Sequence, residues 1–130
     1  MFRISKKLKY ALRALVFLAQ NHKKGELFSI KEISEREEIP FDFLEKIVSQ
    51  LEKRGLVRGK KGKGGGYILS RSPNSIKVQD IIWALGDEKK LRDCFVCKRN
   101  KKCLSKKVWL RLERTVNQVL QSTTLKKITK

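Results

Sequence analysis

Residues 43–71 read FLEKIVSQLEKRGLVRGKKGKGGGYILSR, and the fold turns on them. Phe43, Leu44, Ile47, Val48 and Leu51 recur at helical spacing, which predicts a helix over roughly 42–54 with Gly55 just past its end. Two short strand-like pieces follow, Leu56–Arg58 and Tyr67–Ser70, separated by the loop GKKGKGGG at 59–66. Upstream, Leu8, Leu12, Leu15, Val16 and Ala19 form one stripe of a helix over 6–20, with Lys6, Lys9 and Arg13 off it and Ser5 as N-cap. Ser29 opens a second helix, where Glu32 completes a capping-box pattern and Ile30 and Ile33 turn inward. Ile39-Pro40 breaks it, because the residue before a proline is pushed out of the helical region. Three short helices and then a glycine-rich hairpin is the order of a winged helix-turn-helix.

Downstream of the hairpin, a fourth helix over roughly 78–85 carries Val78, Ile81, Ile82 and Leu85 inward and stops at Gly86. Residues 87–103 show no clean period and hold all three cysteines. From 104 to 121, Leu104, Val108, Leu112, Val116, Val119 and Leu120 form a long stripe, about 27 Å at roughly 1.5 Å per residue. A domain this small has little to bury such a helix against, so a second copy is expected to cover it, the alternative being a helix folded back on its own domain. The expected class is therefore mainly α (α+β): a winged helix-turn-helix domain over 1–86, a cysteine loop over 87–103, and a dimerisation helix with tail over 104–130.

The 130 residues allow one compact domain plus an arm. Hydrophobic residues make up 40% of the chain, enough for a core. The longest apolar run, Ala14 to Ala19, is far shorter than the roughly 20 residues that span a bilayer. Arg13 interrupts the basic-then-apolar start, and no small-residue cleavage site follows, so an intracellular protein is expected rather than one with a signal peptide. Three cysteines within ten positions do not make a secreted disulfide framework. A cytoplasmic protein without a membrane partner is expected. With 32 Lys+Arg against 13 Asp+Glu, the formal charge of +19 calls for a polyanionic partner or a membrane surface.

The cations fall on the reading head. Lys53, Arg54, Arg58, Lys60, Lys61 and Lys63 occupy residues 53–63 without an acid, and Arg3, Lys6, Lys7, Lys9 and Arg13 do the same over 1–13. Such clusters neutralise phosphates and release counterions. Gly64, Gly65 and Gly66 supply the positive φ that a tight hairpin needs, and a tip without side chains can approach a narrow groove, bringing Lys61 and Lys63 to the minor groove or its phosphates. A nucleotide-binding loop is excluded, since no Gly-Lys-Ser/Thr follows and a strand, not a helix, comes next. On the third helix the polar residues are Asp42, Glu45, Lys46, Ser49 and Gln50. Asp42 reads as an N-terminal cap. Glu45 could accept from a cytosine amine or remain a solvated residue, and Gln50 could read adenine. No residues form a nucleophile or acid–base arrangement, so an enzyme is not expected. An electron carrier would lack a fourth cysteine and would not need a basic wing. A nucleic-acid-binding protein without sequence preference is the remaining alternative.

The start MFRISKKLKYALRALVFLA, the segment 43–71, the helix VQDIIWAL, Cys103-Leu104-Ser105 with Trp109, and Thr124-Leu125 together resemble the Rrf-type winged-helix transcriptional regulators, the IscR/NsrR/RirA/CymR-like family. The likeness covers nearly the whole chain, and the GGGY wing is its most specific part. It implies a homodimeric bacterial transcription factor, a repressor, on a palindromic operator of double-stranded DNA. By position, Phe43 and Glu45 fall where the family's reading helix contacts bases, and Lys61 on its wing arginine. The expected DNA-contacting set is Arg3, Lys6, Phe43, Glu45, Lys46, Ser49, Gln50, Arg58, Lys60, Lys61, Lys63, Gly64, Gly65 and Tyr67.

Cys94, Cys97 and Cys103 have the spacing C-x2-C-x5-C among lysines and arginines. Clustered soft thiolates suit an iron–sulfur cluster or zinc, and cationic neighbours favour the thiolate form. The resemblance implies a cluster, since cluster-binding members present three cysteines in this loop with a similar x5 gap. Two departures stand beside it: the first gap is x2 rather than x5, and the family's fourth-ligand positions hold Lys106 and Lys9. His22 reads as a surface residue, so a cluster would need an exogenous thiol, water or an acid such as Asp93. The loop is expected to sense iron–sulfur status, redox state or nitric oxide, with a thiol switch, zinc, or a vestigial loop with no cofactor as the alternatives. A ligand in this loop is expected to set the spacing of two reading heads against two half-sites.

Overall fold

The structure is a computed structural model that describes residues 5–86 and 104–129. Its elements run α1 (Lys6–Gln20), α2 (Ile30–Glu37), α3 (Phe41–Lys53), β1 (Val57–Lys60), β2 (Gly66–Leu69), α4 (Val78–Ala84), α5 (Lys106–Ser122) and α6 (Leu125–Ile128). Short 3-10 turns at His22–Lys24 and Pro73–Ser75 join them.

The expected stripe on α1 needs correction. Ala11, Ala14, Leu15, Phe17, Leu18 and Ala19 are buried, whereas Leu8, Leu12 and Val16 are only half-buried at its margin. The helix runs through the middle of the domain, with α2, α3 and α4 all against it, and small alanines let those neighbours approach closely. Ser5 accepts from the Leu8 N–H at 3.1 Å, and the Ser29–Glu32 capping box forms as expected. The second helix, however, ends before Ile39-Pro40 is reached. Glu38 takes a left-handed conformation (φ 55°) and its N–H bonds the Ser34 carbonyl, which turns the chain early. Asp42 is not a cap either: Pro40 holds that position and Asp42 lies in the first turn, where its charge complements the helix dipole.

β1 and β2 pair antiparallel, Val57 with Leu69 and Lys60 with Gly66, so the first strand runs two residues past Arg58 and the turn contracts to 61–65. Period-two geometry puts Val57, Gly59, Tyr67 and Leu69 on the inner face and Arg58 and Lys60 on the outer one. Phe28 adds a single bridge to β2: the Phe28 N–H donates to the Tyr67 carbonyl at 3.1 Å, and the Tyr67 N–H donates to the Phe28 carbonyl at 2.7 Å. Gly66 permits this approach, since a Cβ there would stand 2.6–2.8 Å from the Phe28 backbone.

The chain returns to the core after α5. The Leu125 N–H bonds the Ile76 carbonyl at 3.0 Å, and the Leu125 side chain is fully buried with Leu15 and Ile81. No described residue of α5 itself is buried. Leu104, Val108, Leu112 and Val119 are exposed, while Val116 and Leu120 are half-buried.

Candidate nucleic-acid interface

Helix α3 turns Leu44, Ile47, Val48 and Leu51 into the core, which leaves Asp42, Phe43, Glu45, Lys46 and Ser49 exposed and Gln50 half-buried on the opposite side. Together with Lys7 of α1, the residues Phe43, Glu45, Lys46, Ile47, Ser49 and Gln50 line a shallow groove of about 560 Å³. The Phe43 ring is set by Tyr10, whose ring meets it edge-on at 5.4 Å. Arg13 stacks 5.4 Å over the far side of Tyr10 and donates at 2.9 Å to the Glu37 carbonyl at the end of α2. This cation therefore braces α1 against α2.

The wing is joined to α3 through Glu52, whose carboxylate accepts the Gly59 N–H at 3.1 Å. Tyr67 lies opposite Gly59 on the inner face, half-buried, with its ring over the space a Gly59 side chain would fill. Burial first, and then the Glu52 and Glu45 carboxylates, raise its phenol above the ordinary value of 10.0, so it is neutral at any physiological pH. At the tip, the Gly65 N–H closes on the Gly62 carbonyl at 3.0 Å, and a Cβ at Gly65 would collide with the Lys60 carbonyl oxygen. Arg58, Lys60, Lys61, Lys63 and Gly64 are all exposed. The tip is thus a bare backbone turn flanked by unburied cations.

The structure brings Phe43, Glu45, Lys46, Ser49 and Gln50 to one groove with Lys7, ties the wing to α3 through Glu52, and leaves Lys6 exposed at the start of α1. Arg3 and the cysteines Cys94, Cys97 and Cys103 lie outside the described residues. Among the described residues no group of three or more His, Cys, Asp or Glu could hold a metal ion. Lys9 is exposed on α1, and Lys106 opens α5 half-buried. His22 is half-buried rather than at the surface, and its buried Nδ1 has no hydrogen-bond partner.

Two contacts were not legible in the sequence. The Lys7 Nζ, beside the groove, donates at 3.0 Å to the carbonyl of Leu85, the C-cap of α4. Arg54, the C-cap of α3, stacks 4.1 Å over the half-exposed ring of Trp83 on α4. Long-range partners of this kind have no local signal. Phe41, 45% exposed at the first position of α3, is a third omission. It stands off the buried stripe, and that could have marked it.

The family profile "Rrf2: Iron-dependent Transcriptional regulator" matches residues 4–130. The chain belongs to the Rrf2 family. It is 33% identical to the HTH-type transcriptional regulator IscR of Klebsiella pneumoniae over 126 residues, 95% of this chain and 77% of IscR. Among solved structures, IscR of T. potens superposes with a TM-score of 0.81 at 35% identity, covering 98% of this chain and 85% of the other. CymR of B. subtilis, named as a global cysteine regulator, does so at 0.84 and 31%, covering 99% and 97%. This Rrf2 protein is a DNA-binding transcriptional regulator and, like its relatives, not an enzyme. The winged helix-turn-helix and the family resemblance read from the sequence are both borne out. Among the described residues no helix is long and apolar enough to cross a membrane.

Proposed function

We propose that the protein is a cytoplasmic, homodimeric repressor that binds a palindromic operator, with α3 in the major groove and the wing on the adjoining minor groove. The observation that carries this reading is the outward polar face of α3 on a helix joined through Glu52 to a wing whose lysines are exposed. Glu45, Lys46, Ser49 and Gln50 would face base edges, Phe43 would reach them from the groove margin, and Arg3, Lys6, Arg58, Lys60, Lys61 and Lys63 would neutralise phosphates. Gly64 and Gly65 would let the backbone come close, and Tyr67 would support the wing from beneath. In this reading the head spans 1–86 and α5 belongs to a dimerisation segment over 104–130. The deciding experiment is enrichment of bound duplexes from a random pool. A single palindromic sequence is expected, and equal binding to all duplexes would establish the nonspecific alternative.

Two substitutions separate charge from discrimination. Lys61→Ala with Lys63→Ala should weaken binding to every duplex and flatten the slope of log affinity against log salt by up to about two phosphate equivalents. An unchanged slope removes the wing from the interface. Glu45→Ala should relax preference at one base pair per half-site by about 1–3 kcal/mol and leave random-sequence binding nearly as it was. If the enriched sequence is the same for the variant, Glu45 is a solvated helix residue.

For sensing, the proposed ligand set is Cys94, Cys97 and Cys103 with an iron–sulfur cluster. The family's iron-dependent description and the three-thiol spacing support it. A cluster there would make the chain responsive to iron supply and oxidants. The lysines at positions 9 and 106 offer no fourth ligand while charged, which favours an exogenous donor or Asp93. The likeness to a cysteine regulator supports a second reading, in which two of the thiols pair on oxidation and no metal binds. Cys97→Ala distinguishes them. With a cluster, the anaerobically purified parent contains iron and sulfide and the variant neither. With a thiol switch, neither contains iron and only the parent responds to peroxide.

A further inference from the structure

Two large apolar side chains stand in solvent at the head of α3, Phe41 at 45% exposure and Phe43 at 38%. They occupy the first and third positions of a helix whose remaining outward residues are polar or charged. The buried face of α3 is formed by Leu44, Ile47, Val48 and Leu51, and neither ring belongs to it. Phe43 is held in place by the edge of Tyr10, so its ring is pre-set rather than free to fold away. Phe41 lies one turn before Glu45 on the same flank of the helix, while Phe43 shares the opposite flank with Gln50. The two rings therefore bracket the polar residues proposed above to face base edges.

A phenyl ring neither donates nor accepts a hydrogen bond, so it cannot read amines, carbonyls or ring nitrogens. The apolar feature of a base edge in the major groove is the C5-methyl of thymine. We propose that Phe41 and Phe43 are specificity-determining residues that each close over a thymine methyl group, Phe41 beside the base pair faced by Glu45 and Phe43 beside that faced by Gln50. The inference rests on the reading of α3 as the base-contacting helix and adds the class of base it selects. The nearby cations fit the same occupant, since a neutralised phosphate wall lets the helix head approach closely enough for van der Waals contact. A second protein copy would more naturally take the longer apolar stripe of α5.

The test uses the full chain and the duplex it enriches from a random pool. Each thymine is exchanged singly for deoxyuridine, which pairs identically and lacks only the methyl. One or two positions per half-site should each lose about fourfold in affinity, the effect of burying one methyl-sized group. Phe41→Ala should bind the thymine and deoxyuridine forms alike at one of these positions, and Phe43→Ala at the other. Exchanging cytosine for 5-methylcytosine should do nothing at positions that thymine does not occupy. An affinity indifferent to every exchange overturns the inference and leaves α3 as a reader of polar edges. Methyl sensitivity that survives both alanine variants also overturns it. Failure to enrich any sequence overturns the base-contacting reading of α3, and the inference with it.

Discussion

Gly66→Val is expected to lower the melting temperature by roughly 10–20 °C and to abolish binding to the enriched duplex. Gly66 has φ +142°, where a branched side chain is strained, and its Cβ would stand 2.6–2.8 Å from the Phe28 backbone. Relief requires Phe28 to withdraw. That breaks the two bridge hydrogen bonds to Tyr67 and pulls a ring that is 3% exposed out of its edge contact with Phe17, 4.8 Å between centroids. Arg36, which stacks over both rings, loses its platform. Backbone strain, two lost hydrogen bonds and a partly vacated aromatic site sum to about 3–5 kcal/mol, and a domain of this length loses a few degrees for each. Circular dichroism melts measure it. A variant that melts with the parent would show that Phe28 does not anchor the hairpin.

The second large effect concerns assembly. Val108→Glu combined with Val119→Glu should convert a micromolar dimer into a monomer in sedimentation velocity while leaving the melt of the individual chain nearly unchanged. Both valines are exposed, 61% and 56%, so a carboxylate at either meets water within one chain. In a symmetric seam each would be buried twice without a partner, which weakens association by roughly a thousandfold or more. Val116 is half-buried within its own chain and is a poorer choice, because its loss would mix folding with association. A doubly substituted chain that still sediments as a dimer would place the interface elsewhere.

The parts legible in the sequence were those governed by neighbours in the chain. Ser29 with Glu32, Gly55 beyond α3, and Gly64 at the wing tip act within a few residues, whereas Gly62 rather than Gly65 supplies the other positive φ of the turn and Gly66 serves the distant Phe28. The α3 stripe was plain for Leu44, Ile47, Val48 and Leu51, which are buried, but Phe43, counted in it from its spacing, is 38% exposed. On α1 the signal misled, because Ala11 and Ala14 are fully inside by virtue of being small, and a search for bulky residues passes over them. Glu38 in a left-handed turn could not be anticipated from a residue type that rarely adopts it. The bridge from Phe28 to Tyr67, the Lys7–Leu85 contact and the Arg54–Trp83 stack join residues distant in sequence, so only the assembled fold displays them. For the candidate site, composition and spacing marked the cations and the polar face of α3. They did not mark Phe41, although its position off the buried stripe sets it apart from the core residues.

The two contacts at the end of α4 carry a thermodynamic obligation. Lys7 and Arg54 belong to the helices that border the reading groove, yet both hold the last turn before Gly86, where the chain passes into the cysteine-bearing segment. Any event in that segment that displaces Leu85 or Trp83 must break or remake bonds made by those cations. If such an event changes the affinity for DNA by some factor, linkage requires DNA to change the affinity for the event's cause by the same factor. Occupied operator would then be a protecting ligand for the cysteines, or an accelerant of their loss, according to the sign. Under the proposed sensing role, the genome's own binding site would help to set the threshold of the response.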